Sequence, residues 1–315
     1  MEKEVFLTKI AVEMQRACAQ RLADGSPGGL AARTLARGDG WTVQDIICTS
    51  GPRDRSFKEQ HQLFSIAMVL AGSFQYRGSN RANGCGELMT PGSLLLGNPG
   101  QNFECGHEHA MGDRCLSFHY SPEYFERIAA DTGVRGTEAA FPVLKFPPLH
   151  GLASLFCRAS AVLQKSSASS SEGRLLWEEL SVEVAAQALR VSNGHLKSNH
   201  TVQPSAILRI TGVLRTIEEN LGSVWTLAEL ARQSGLSTYH FLRTFEQVTG
   251  LTPHQYVRRL RLAEAAVRLS GGDGKALDVA IDCGFNDASN FSRAFRSEIG
   301  MTPRDFRRQS FLRPV

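Results

Sequence analysis

The sequence predicts an α+β chain of two domains, a small β-barrel with flanking helices followed by an all-α domain holding two helix-turn-helix units. Three observations predict it. The chain has 315 residues, more than one hydrophobic core usually serves. Residues 41 to 120 hold short apolar runs between Gly, Pro and Asn clusters. The last hundred or so residues carry apolar positions at helical spacing and repeat themselves.

Composition narrows the class. Hydrophobic residues make up 42% and charged residues 21%, ordinary for a soluble globular protein. The longest apolar run, Leu63 to Ala71, is far shorter than a membrane helix needs. The first twenty residues open with charges and lack the apolar core of an export signal, so a cytoplasmic protein without membrane contact is expected. From residue 205 to the end there are 15 Lys and Arg against 11 Asp and Glu, and the preceding residues balance, so the net charge of +4 belongs to the C-terminal third. Fourteen of those 15 cations are Arg, which suits phosphate and guanine contacts. Seven cysteines argue for reduced thiols or metal ligands rather than a disulfide framework.

Along the chain, Phe6, Ile10, Met14, Cys18 and Leu22 predict an amphipathic first helix. Trp41 to Cys48, Phe64 to Leu70, Ser93 to Leu96 and Cys115 to Tyr120 predict strands of a sandwich or barrel. Leu149, Leu152, Phe156, Ala159 and Leu163, then Leu176, Leu180 and Val184, predict two helices around a Ser-rich loop from Lys165 to Gly173. These helices either pack on the barrel or pair with a second subunit. Residues 1–191 form the first domain, 192–205 a polar linker and 206–315 the second domain.

The second domain repeats one unit. HisPheLeuArgThrPhe at 240–245 matches AsnPheSerArgAlaPhe at 290–295, and Gly-Leu-Thr-Pro at 250–253 matches Gly-Met-Thr-Pro at 300–303, both offset by 50 residues. In the first copy Thr226 and Glu229 predict a capping box, with Leu227, Leu230 and Ala231 inward. Gly235 turns the chain and Ser237 caps a second helix striped by Phe241, Phe245 and Val248. In the second copy Leu277, Ala280 and Ile281 are read as inward, Gly284 as the turn, Asp287 as the cap, and Phe291, Phe295 and Ile299 as the stripe. Helical geometry then turns Thr238, Tyr239, Leu242, Arg243 and Glu246 outward in one copy, and Ala288, Ser289, Ser292, Arg293 and Arg296 in the other. The first turn of such a helix enters the major groove, where Arg bonds both guanine acceptors. Pro253 starts a long helix that joins the copies.

The run from Ala280 to Pro303, AIDCGFNDASNFSRAFRSEIGMTP, resembles the signature of AraC/XylS-type transcription regulators, and the likeness extends over Ile207 to Arg308. It implies a seven-helix domain that binds promoter DNA, contact with RNA polymerase, and an N-terminal domain for an effector or for homodimerisation. Carried over, the base-facing set is Tyr239, Leu242 and Arg243, then Ala288, Ser289, Ser292 and Arg293; Leu242 stands where a polar residue is often found. Met89 to Asn102 (MTPGSLLLGNPGQN) resembles the paired Pro-Gly turns of the cupin-like sensor barrels of such regulators.

An eight-stranded barrel holds one small ligand, and Arg55, His61 and Tyr76 are candidates to orient an effector that the sequence does not name. Cys105, His107, His109 and Cys115 lie within eleven residues, read as a Gly-containing loop, with Cys48 and Cys85 elsewhere in the domain. Three readings stay open: a Zn²⁺ or other thiophilic metal site, a reactive thiol near His or Arg114, and plain barrel cysteines. A catalytic metal centre is disfavoured, because enzymatic cupins follow His-x-His with Glu, and here Asp113 follows. No catalytic residues are expected.

Overall fold

A computed structural model describes residues 9–78, 86–108, 110–133, 140–165, 171–193, 204–271 and 274–312. Helix α1 (Lys9–Ala23) buries Ile10, Met14 and Cys18 as expected, but Leu22 is 56% exposed, one residue before the helix ends, while its neighbour Arg21 ties that turn to Asp54 at 2.7 Å. Phe6 lies outside the described residues.

Ten strands follow among the described residues: β1 (Leu30–Gly38), β2 (Trp41–Cys48), β3 (Phe57–Gln60), β4 (Phe64–Gly72), β5 (Phe74–Gly78), β6 (Glu87–Met89), β7 (Leu94–Gly97), β8 (Asn102–Gly106), β9 (Asp113–Tyr120) and β10 (Lys145–Phe146). One sheet has the order β1-β2-β9-β4-β7-β10 and the other β3-β8-β5-β6. Val69, Phe74, Tyr76, Met89, Leu95, Cys105 and Cys115 meet between them. The central strand β4 is buried on both faces, which explains its unbroken apolar run. Ala67 and Val69 face the second sheet, while Ile66 and Met68 face three helices outside. Those are α2 (Pro122–Asp131), capped by Ser121, α3 (His150–Lys165) and α4 (Ser171–Asn193). Helix α4 begins inside the stretch read as loop, at Ser171; residues 166–170 lie outside the described set. Trp177, Leu180 and Val184 of α4 pack on the sheet, and Tyr120 donates its hydroxyl to Ser181 O at 2.8 Å.

Arg114 on β9 locks α1 to the barrel. It is 1% exposed. Its Nε and Nη2 donate to the two oxygens of buried Asp45, each at 2.9 Å; Nη1 donates to Ile10 O at 3.1 Å, and Nη2 lies 2.6 Å from Glu13. Against burial, the Arg114 and Arg33 guanidiniums hold the Asp45 carboxyl below its ordinary range.

The second domain has seven described helices: α5 (Pro204–Glu219), α6 (Leu227–Ser234), α7 (Thr238–Thr249), α8 (Pro253–Gly271), α9 (Ala276–Asp282), α10 (Ala288–Ile299) and α11 (Pro303–Leu312). Residues 194–203 of the expected linker lie outside the described set. Helix α8 serves two cores. Tyr256 and Val257 join Ile210, Leu214, Phe241 and Phe245, whereas Leu262, Ala265 and Leu269 join Val279, Phe291, Phe295 and Phe306.

The domains share surfaces. Cys157 and Ala161 of α3 enter the second helical core, and Val267 of α8 packs with Ile10 and Met14 of α1. Of the alternatives for the mid-chain helices, α4 packs on the barrel and α3 is shared between the domains. Arg259 Nη1 donates to Pro148 O at 2.6 Å, and Lys145 Nζ bridges Leu88 O at 2.7 Å and Val248 O at 3.3 Å. Glu218 of α5 accepts from Tyr256 Oη at 2.9 Å and from the Gly72 amide of the barrel. Burial pushes its carboxyl up from 4.5 to about 7 despite both bonds. A carboxyl protonated more readily in the folded chain contributes stability below pH 4.5 that is lost as pH rises through 7. Glu218→Gln should therefore be more stable relative to the natural chain at pH 8 than at pH 5, as read by urea midpoints; an unchanged difference would contradict this.

Candidate nucleic-acid interface and barrel cavity

The two helical units are built by local rules that the sequence displays. Thr226 and Glu229 form the capping box of α6, and Gly235 closes that helix in the left-handed region at φ 67°. Ser237 caps α7 through the His240 amide, and Asp287 caps α10 through the Asn290 amide at 2.6 Å. Phe241, Phe245, Phe291 and Phe295 are all buried. Thr238 and Arg243 of α7 are therefore exposed, as are Ala288, Ser289, Ser292, Arg293 and Arg296 of α10, while Leu242 is half-buried. The Tyr239 side chain lies outside the described set. Arg293 Nη2 donates to Asn290 Oδ1 at 3.2 Å, one turn earlier on the same face.

Three inward residues are corrected. Ala280 is buried as expected, but Leu277 and Ile281 are 47% and 56% exposed, and Val279 and Cys283 are buried in their place. The cause is a register change. The offset between copies is 50 residues after the turn but 49 before it, since Gly284 matches Gly235 and the second turn is one residue longer. The extra residue shifts the inward face of α9 by one position, about 100° around the helix, from where an offset of 50 would put it. Leu227 is also exposed, at the first position of a helix of only 8 residues. Gly284 has φ 83°, and a Cβ there would lie 2.7 Å from Arg261 Cζ, whose Nη1 donates to Gly284 O at 2.7 Å. Gly284→Ala should cost about 1–2 kcal/mol from backbone conformation alone, measured by thermal unfolding; a neutral result would mean the turn is relaxed.

The first domain holds a cavity of about 340 Å³ between its sheets. Alternation along β9 points Asp113, Cys115, Ser117 and His119 into it, while Leu116, Phe118 and Tyr120 face the helices. His61 lies at its edge, stacked on Phe103 with centroids 4.2 Å apart and bonded to Tyr76 Oη at 2.7 Å. Burial lowers the His61 pKa to about 4, so the ring is neutral. His119 bonds Ser65 Oγ at 3.1 Å and Ser117 Oγ at 3.0 Å. Of the three candidates to orient an effector, His61 lines the cavity, Tyr76 stands behind it, and Arg55 is exposed outside it. Ser117 and His119 were legible as the inward phase of an alternating strand; Ser65 was hidden in an apolar run.

The Cys and His donors are not gathered on one loop. Cys105 lies on β8, Cys115 on β9 and His107 between them; His109 and Cys85 lie outside the described residues. Among the described residues the donor atoms that come within 4.8 Å of one another belong to Cys48, His107 and Asp113, all buried. The register pairs Cys48 with Asp113, an alignment of two strands distant in sequence. His107 Nε2 meets Asp113 Oδ1 at 2.6 Å, and Cys115 Sγ donates to Asp113 Oδ2 at 3.2 Å. Burial opposes a charged His107, yet Asp113 and Cys48 raise its pKa to about 10. Burial and the Asp113 carboxylate push the Cys105 and Cys115 thiols well up, which is the reverse of an activated thiolate.

Comparison with known proteins assigns both domains. Residues 44–180 match the model of the AraC-like ligand binding domain, and residues 230–309 match a helix-turn-helix domain. The HTH-type transcriptional activator RhaR of Yersinia pseudotuberculosis is 33% identical over 103 residues, 33% of this chain and 36% of RhaR. RhaS of Klebsiella pneumoniae is 37% identical over 99 residues, 31% of this chain and 36% of RhaS. The match thus spans about a third of the length of these relatives. ToxT of Vibrio cholerae, a solved structure, aligns over 88% of this chain and 100% of its own at 14% identity, with a TM-score of 0.35. Among the described residues no helix is long and apolar enough to cross a membrane. With an AraC-like ligand-binding domain followed by a paired helix-turn-helix domain, the chain belongs to the AraC/XylS family.

Proposed function

We propose that the chain is a cytoplasmic, sequence-specific DNA-binding transcription regulator and not an enzyme. Two buried Phe stripes on α7 and α10, each with an exposed Arg on the opposite face, carry this reading. Arg243 and Arg293 read guanine edges in the major groove. Thr238, Tyr239, Leu242, Ala288, Ser289 and Ser292 complete the base-facing set, and Arg296 meets phosphate. Helix α8 belongs to both cores and so fixes the units relative to each other. Promoter DNA is then the first partner. RNA polymerase is the second, in keeping with relatives named as transcriptional activators. A small effector enters the barrel cavity, where His61, His119 and Ser117 offer neutral hydrogen-bonding groups above apolar walls. A homodimer is part of the proposal, and any dimer surface lies off the face of α3 that holds the second domain.

Immunoprecipitating DNA bound to the full-length chain in its native cell tests the proposal. Discrete peaks upstream of a limited gene set are expected. Uniform coverage of the genome, or no recovered DNA, would remove the regulator reading.

A further inference from the structure

Four of the six described cysteines converge at one end of the barrel. Cys48 ends β2, and Cys105 and Cys115 come from β8 and β9. The Cys18 thiol of α1 lies over Gly112, where a Cβ would sit 2.6 Å from its sulfur. The centre of this cluster is the trio of Cys48, His107 and Asp113, with one sulfur, one nitrogen and one oxygen donor within 4.8 Å. The His107 side chain is 2% exposed, and its Nδ1 is buried with no hydrogen-bond partner among the described residues. A buried polar atom left unused is uncommon in a native fold and calls for a reason. Asp113 is fixed from two sides, by His107 on one oxygen and the Cys115 thiol on the other, as outer partners orient a ligating carboxylate.

We propose that Cys48, His107 and Asp113 form a binding site for a thiophilic cation of the Zn²⁺ class. Mixed sulfur, nitrogen and oxygen donors suit such an ion, whereas Mg²⁺ and Ca²⁺ take oxygen alone. Three protein ligands leave a fourth tetrahedral position for water or an exchangeable ligand. The site borders the cavity, since Cys48 and Asp113 are both part of its wall. This inference does not depend on DNA binding.

Cd²⁺ titration of the full-length protein, stripped of metal and shown to be folded, tests the site. A thiolate-to-Cd²⁺ ultraviolet band should saturate at one ion per chain, vanish on adding Zn²⁺ and persist in excess Mg²⁺. Cys48→Ser should abolish the band at unchanged near-ultraviolet dichroism, while Cys157→Ser, outside the cluster, should keep it. A folded natural chain without a saturable band, or a band surviving in Cys48→Ser, overturns the proposal. Should Cys48→Ser fail to fold, X-ray absorption of the Zn²⁺-loaded natural chain decides. One sulfur among nitrogen and oxygen supports the site, and a shell with no sulfur or with several contradicts it.

Discussion

Arg243→Ala and Arg293→Ala should each lower specific DNA affinity by about 1–3 kcal/mol, roughly 5- to 150-fold, at a fixed salt concentration. Both side chains are exposed, so thermal unfolding should not change. The loss should appear against the target sequence and shrink against random DNA, because a bidentate guanine contact is made only at the right base. Arg296→Ala should behave differently. One turn portion beyond Arg293 and still exposed, it is assigned to phosphate, so its loss should weaken all sequences alike and reduce the salt slope by about one. Titration of target and random duplexes at several salt concentrations separates the cases. Equal losses on both duplexes for Arg243→Ala and Arg293→Ala would assign these arginines to the backbone instead.

Arg114→Ala should be among the most damaging single changes in the first domain, costing about 3–5 kcal/mol. Asp45 would stay buried with its main partner gone, and Arg33, 62% exposed on its side chain, is a poor replacement. The same change frees Ile10 O and Glu13, so α1 should loosen with the barrel. Because α1 packs on Val267 of α8, hydrogen exchange should rise at both places. Denaturant unfolding and exchange of the variant check this. A midpoint close to that of the natural chain would show that the pair is offset by its own desolvation.

How much of this was legible follows from how local each feature is. The caps at Thr226, Ser237 and Asp287 and the Phe stripes are set by residues three or four apart, and the recognition helices appear where they were expected. The inward face of α9 is legible only at Ala280, because the extra residue lies inside the turn, where no periodicity reports it. The strands β2, β4, β7 and β9 carry apolar runs. Strand β1 does not, its first five residues being exposed, and β3 and β6 are only 4 and 3 residues long, too short to show a period. The donor trio at Asp113 has a different origin: closeness in sequence points to Cys105, His107, His109 and Cys115, whereas strand pairing sets Cys48 of β2 beside Asp113, which no spacing in the sequence displays. The Arg114–Asp45 clamp has the same non-local origin.

Selecting binding sites from random duplex DNA with the purified full-length chain tests the central claim most directly. Two short motifs are expected, with centres about one helical turn, roughly 10 base pairs, apart. Repeating the selection with Arg243→Ala should erase base preference in one motif, and Arg293→Ala in the other. Recovery of no motif, or loss of the same motif in both variants, would contradict two matched reading surfaces on one face of DNA.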